Sequence, residues 1–326
     1  AAEGTRVQQQ AADLALRVGD HSDHAIHTGN LATLTWMQGN PEAALQHARQ
    51  ARQSYQRLNA LHGHMAAINE VTLGLATAHS GQLGEALDTL QGAVRSLGPG
   101  APPAGMAKAR IALAGLWLML GQPAHALALF DTAQADWLGG LPPLWLGLWH
   151  LEHARALRAA GGHSARAETT CALGQALAAQ VPDIGAGPSL ACAWAATLPP
   201  AAARKILQVT HEAAQRNERQ GLARSLRLAL LGLEAAPTES AHQRQATARL
   251  AWAEIDLPHH TVTHPLWVHQ VLAPVLAACG LANEATACLQ AGRTLLHDLA
   301  ATLPPAWRGS FLQAQQPVNA TAVTPG

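Results

Sequence analysis

A glycine recurs in this chain with small residues held in phase behind it. Gly39 opens GNPEAALQHARQA, Gly81 GQLGEALDTLQGA, Gly121 GQPAHALALFDTA, Gly162 GHSARAETTCALG and Gly280 GLANEATACLQAG. Five residues after each glycine stands Ala44, Ala86, Ala126, Ala167 or Ala285. Twelve residues after it stands Ala51, Ala93, Ala133, Gly174 or Gly292. Two small residues seven apart share one helix face, two turns apart. The spacing therefore predicts a glycine turn followed by a helix that packs closely on its neighbour through that face. Ninth after the glycine comes Ala48, Leu90, Phe130, Cys171 or Leu289, placed to fill the interhelical core. Cys171 is thereby read as a small core hydrophobe.

The first four glycines are 42, 40 and 41 residues apart, and Gly162 to Gly280 is close to three more such steps. Between them, Pro199-Pro200 and Pro237-Thr238-Glu239-Ser240 mark further helix starts. About seven helix pairs of period about 40 follow, with degenerate units near 185–260. Fourteen helices are expected near 22–38, 41–58, 64–80, 83–97, 104–120, 123–137, 143–160, 163–180, 187–197, 200–219, 221–234, 239–255, 265–279 and 281–301. Residues 1–21 read as a lead-in, 22–302 as the array and 303–326 as a tail. Composition agrees: Ala and Leu dominate, aromatics are 4% and charged residues 13%, which suits helices and not strands.

Each unit also places a large–small pair in its first helix, such as Leu31-Ala32, Leu73-Gly74 and Leu113-Ala114. Together these positions resemble the tetratricopeptide repeat, with its L-G in the first helix and A…F…A in the second. The period of about 40 exceeds the family's 34, and Thr35, Thr77 and Trp117 stand where the family has Tyr. The resemblance implies a right-handed α-solenoid. Long-period arrays of this kind look like the C-terminal halves of large bacterial LuxR-type activators and related signalling NTPases. Leu303-Pro304-Pro305-Ala306-Trp307-Arg308-Gly309-Ser310-Phe311-Leu312, followed by Pro317-Val318-Asn319, is similar to an L-P-x-x-x-R-x-x-F-L…P-V-N element that often closes such arrays. What this implies is the regulatory piece of a larger cytoplasmic regulator whose NTPase and output domains lie elsewhere; the absence of an initial Met fits that expectation.

Little in the sequence points to chemistry. There is no P-loop, no G-x-S-x-G and no H-E-x-x-H. Acidic residues are scattered singly, so no enzyme activity and no cofactor are expected. The net charge of zero, with no basic block, argues against nucleic acid. Four cysteines without C-x-x-C spacing suit buried thiols in a reducing compartment. The uncharged run 111–130 is broken by Gly121-Gln122-Pro123 and reads as helix–turn–helix, not a membrane span. Eighteen histidines include His21/His24/His27, His150/His153 and His259/His260/His264/His269. None has the spacing of a zinc site, and they are read as polar positions, not metal ligands.

In the resembled family the first helices line a concave groove. Phasing on the glycine places Trp36 and Met37, His79, Lys108 and Met119, Trp149 and Glu152, and Trp267 on that face. The face is mainly apolar and lacks the set that clamps a peptide carboxylate in some relatives. It fits a non-catalytic scaffold for a protein partner or for adjacent domains of the same polypeptide. The alternative is a module that senses a small molecule or peptide and controls an upstream NTPase; an enclosed pocket near Trp36, Trp117, Trp145 or Trp149 favours it over an open groove. Ala86→Leu or Ala126→Leu is expected to cost about 1–3 kcal/mol by overpacking the helix crossing; a denaturant midpoint equal to wild type would show the phase to be wrong.

Overall fold

The computed structural model describes residues 2–60, 63–98, 100–132, 138–162, 164–233, 239–255 and 264–315. Among them lie sixteen α-helices, one short 3-10 turn and no strand. They are α1 (Ala2–Arg17), α2 (His21–Met37), α3 (Pro41–Arg57), α4 (His64–His79), α5 (Leu83–Ser96), α6 (Pro103–Met119), α7 (Pro123–Asp131) and α8 (Pro143–Gly161). After these come α9 (Ala165–Ala178), α10 (Pro188–Ala195), α11 (Pro200–Arg216), α12 (Gln220–Gly232), α13 (Ala241–Ala253), α14 (Pro265–Ala278), α15 (Ala282–Ala301) and α16 (Pro305–Ala314). The fold is all-α, and α2–α15 fall on the fourteen expected helices. Two helices lie outside the expected array. The lead-in forms α1, tied to α2 where Gln38 Nε2 donates to Thr5 Oγ1 at 2.7 Å and His27 Nδ1 sits 2.8 Å from Gln8 Oε1. The tail forms α16. Ala133, His259, His260 and residues 317–319 lie outside the described residues.

The glycines do what their phase requires. Gly39, Gly81, Gly121, Gly162 and Gly280 all have positive φ, as does Gly19. At Gly39, Gly81, Gly121 and Gly280 the helix ends in a Schellman turn. The glycine N–H bonds three residues back, and the next N–H bonds five back, as in Gln82 N to Thr77 O at 3.1 Å. The following alanines Ala44, Ala86, Ala126 and Ala167 have no exposed surface at all, and Ala285 and Cys171 are buried. A helix pair can close only because nothing larger than a methyl group stands there. The terminal helix ends at Asn59 and Glu218 adopt the same left-handed conformation without glycine.

Consecutive helices pack on one another along the chain. The long-range packing is more telling, because the same turns receive distant segments. At Gly39 the backbone meets the start of α12: a Cβ on Gly39 would lie 2.6 Å from the Leu222 nitrogen, and one on Gly221 would strike the Gly39 carbonyl oxygen. At the second turn, Leu83 N donates to Thr302 Oγ1 at 3.2 Å, and Gly84 faces the Thr302 carbonyl. At the third turn, a Cβ on Gly121 would lie 2.6 Å from the Ser310 oxygen. There Gln315 Nε2 also donates to the Met119 carbonyl at 2.9 Å. Trp307 of α16 stands edge-on to Trp117 with ring centroids 5.2 Å apart, and His125 stacks on Trp117. Phe311 is fully buried in the largest core cluster, together with residues of α4–α8 and the end of α15. The chain from α12 onward thus folds back over its own first three helix pairs.

These contacts separate two kinds of glycine. Gly280 needs only its left-handed φ, since nothing approaches its missing Cβ, whereas Gly121 needs both the φ and the space. Gly280→Ala should cost about 1 kcal/mol and Gly121→Ala about 3 kcal/mol, the excess coming from the clash with α16. Urea melts giving equal losses would contradict the backfolding.

Candidate functional site

The faces of α2, α4 and α6 that the sequence assigns to a groove carry a short polar ladder. Thr33 Oγ1 on α2 lies 3.2 Å from Thr72 Oγ1 on α4, and Lys108 Nζ on α6 donates to Thr72 Oγ1 at 3.1 Å. One helical turn from Thr33, Trp36 stands edge-on to His79 with centroids 6.1 Å apart. His79 ends α4 and His264 caps α14, where its Nδ1 accepts from Leu266 N at 3.2 Å. His264 also faces the Ala78 carbonyl.

Burial decides the charge of these groups. Desolvation pushes both His79 and His264 down to about 4; at His79 the neighbouring His264 adds to the fall, and at His264 the Ala78 carbonyl opposes it. Both imidazoles are therefore neutral at pH 7, at the place where α14 meets α4. Lys108 is brought down to about 8 by burial alone. No carboxylate pairs with it among the described residues. Lys108 and Cys192 share a further property. Lys108 keeps part of its surface, and Cys192 is exposed. Desolvation nonetheless depresses the lysine and pushes the thiol up to about 11.

The eight groove residues do not stay together. Trp36 and His79 meet, and Lys108 lies on the adjoining helix. Met37 is exposed, and Met119 is packed against the core where α16 docks. Glu152 pairs with Arg155 at 2.6 Å on its own helix. Trp267 packs against the cluster formed by α12–α15. Trp149 is a correction: at 1% exposure it belongs to the core, edge-on to Phe130 at 4.7 Å. The cause is local. α8 runs on through Gly161, and Gly162 N bonds four residues back, to Arg158 O. The glycine mark is thus one residue nearer the helix end than in the other units, and one residue turns the face by about 100°.

Other constellations resolve into packing. Cys288 Sγ lies 3.5 Å from His269 Nδ1, but burial pushes that thiol up to about 12, so it is no thiolate nucleophile. His153 stacks on Phe130, and burial lowers its pKa and that of His150. Among the described residues no three His, Cys, Asp or Glu side chains are placed to hold a metal ion, and no helix is long and apolar enough to cross a membrane. Sequence reasoning missed Thr72, which joins Lys108 to Thr33, and treated His264 as loop polarity; its position before Pro265 was the available sign of a helix cap. No protein-family model matches the sequence, and no curated protein matches it.

The two neutral histidines set a pH dependence. Their folded values lie below the unfolded 6.5, so their share of stability is intact above about pH 6.5. It is lost as pH falls toward 4, at on the order of 1.4 kcal/mol per pH unit for each. His79→Gln should flatten this decline by about one such share in urea melts at pH 7, 6 and 5. An unchanged slope would contradict the burial of His79.

Proposed function

We propose that the chain is a non-catalytic, effector-sensing regulatory module from a larger cytoplasmic bacterial signalling or transcriptional regulator. In this reading it is a right-handed α-solenoid of about seven tetratricopeptide-like helix pairs, tightly wound. The pairs that meet at the seams, first with sixth and second with seventh, lie five apart. The superhelix therefore completes a turn in about five pairs, and its second turn rests on its first. Such winding converts a groove into an enclosed interior.

The observation that carries this reading is the backfolding at the glycine turns. A scaffold for a large partner needs its first-helix face open. Here His264 reaches the end of α4 beside Trp36 and His79, while α16 covers the end of α6. A small ligand suits a face covered in this way better than a folded partner does. A ligand bound between the two turns would change how firmly they hold together, which is a signal that neighbouring domains can read.

The test is a thermal-shift screen of the chain against a metabolite library, paired with capture of partner proteins. A ligand present at ~100 times its Kd adds about 2.7 kcal/mol and should raise Tm by a few degrees. A clear shift with a small molecule supports sensing. A defined protein that binds the folded chain, with no shift from any metabolite, would return the function to scaffolding.

A further inference from the structure

Helix α1 carries an apolar face that nothing in the chain covers. Gly4, Val7, Ala11, Leu14 and Val18 are spaced alternately three and four apart, so they form one strip along the helix. Val18 prolongs it, since its N–H bonds the Leu14 carbonyl at 3.0 Å. Val7, Leu14 and Val18 are 47%, 57% and 70% exposed. The polar side chains of α1 bond to one another off this strip: Arg6 reaches Glu3, and Gln9 donates to Asp13 at 3.0 Å. Helix α2 takes a different side, where Ala12 and Ala15 are buried. There Thr5 accepts from Gln38, and the Ala12 carbonyl lies 3.2 Å from His24 Nδ1.

The register of the strip says what fits it. Gly4 and Ala11 stand 40 residues before Ala44 and Ala51 of α3 and share their spacing of seven. Thr5 and Ala12, which touch α2, stand 40 residues before Leu45 and Arg52, which pack on Leu73 and bond to Glu70 of α4. α1 therefore sits on α2 as α3 sits on α4. In the pairs, the small residues of the second helix meet the first. A Cβ on Gly29 of α2 would lie 3.8 Å from the Ala51 Cβ, and one on Gly174 of α9 would lie 2.8 Å from Leu151 of α8. Ala44 and Ala51 are wholly buried, whereas Gly4 is exposed and Ala11 only half-buried. We propose that α1 is the second helix of a further pair, and that its Gly4–Val18 face seats that pair's first helix, supplied by the same polypeptide ahead of Ala1. A second copy of α1 would set one strip of small residues against another and leave the crossing loosely filled. A first helix brings a large side chain to a small one, as Leu151 does at Gly174. This rests on reading the chain as part of a larger polypeptide.

The test compares residues 1–326 with the native polypeptide extended upstream by one further period, using hydrogen exchange read by mass spectrometry. In the extended protein the α1 amides should exchange roughly tenfold more slowly. Leu14→Glu should remove that slowing while leaving α1 exchange in residues 1–326 as it was. Gln9→Glu, on the polar side, should change neither protein. Equal α1 exchange in the two proteins, or slowing that survives Leu14→Glu, overturns the inference and leaves the larger polypeptide standing. A native polypeptide with nothing ahead of Ala1 overturns both. If residues 1–326 sediment as a dimer that Leu14→Glu dissociates, and the extension leaves α1 exchange unaltered, the face belongs to a second copy and the inference falls.

Discussion

The architecture depends on one crossing of bare backbone. Where the α2–α3 turn meets the start of α12, glycine faces glycine, and a methyl group on either side would enter the other's main chain. Contacts this close hold two segments 182 positions apart in one register. Gly84 against Thr302 and Gly121 against Ser310 repeat the arrangement at the next two turns. A glycine that first serves to end a helix thereby also serves as a seat. Loss of that seat would free the later helices from the first ones and return His79 and His264 to water.

The helix pairs supply the rigidity that such narrow seats require. Their crossings rest on alanine, as at Ala44, Ala86 and Ala126, so backbones approach closely and the pairs have little room to shear. The seams, by contrast, use the chain's scarce aromatic groups: Trp117, His125 and Trp307 form one cluster, and Phe311 plugs the core beneath it. Neutral His79 and His264 mark the same boundary nearer the interior. Aliphatic close packing holds each pair, and aromatic and imidazole groups hold the later helices against the first ones.

Much of the helical order was legible because it is local. A left-handed glycine, an alanine five residues on and a proline at the first helical position leave a mark within a dozen residues. The marks fail where the local chemistry differs. Glu218 takes a positive φ that its side chain does not advertise, so the turn after α11 carried no sign. Gly162 follows its helix one residue sooner than the other glycines do, and Trp149 passed from the expected groove into the core. The seams were not legible at all. Nothing near Leu83 announces Thr302, and a pairing across 219 residues has no period to reveal it. The candidate site inherits this: Lys108 and His79 were found by phase, but the burial of His79 beside His264 is a property of the backfolding.

The backfolding can be read at a single amide. Leu83 is the first residue of α5, where a helix offers its own N–H no acceptor, and its bond goes to the Thr302 hydroxyl. Hydrogen exchange at the Leu83 amide, followed by NMR in the wild type and in Thr302→Val, isolates that contact. Slow exchange in the wild type, lost in the variant while the α5 interior stays protected, is the predicted result. Exchange in the wild type as fast as at an exposed turn would contradict the backfolded architecture.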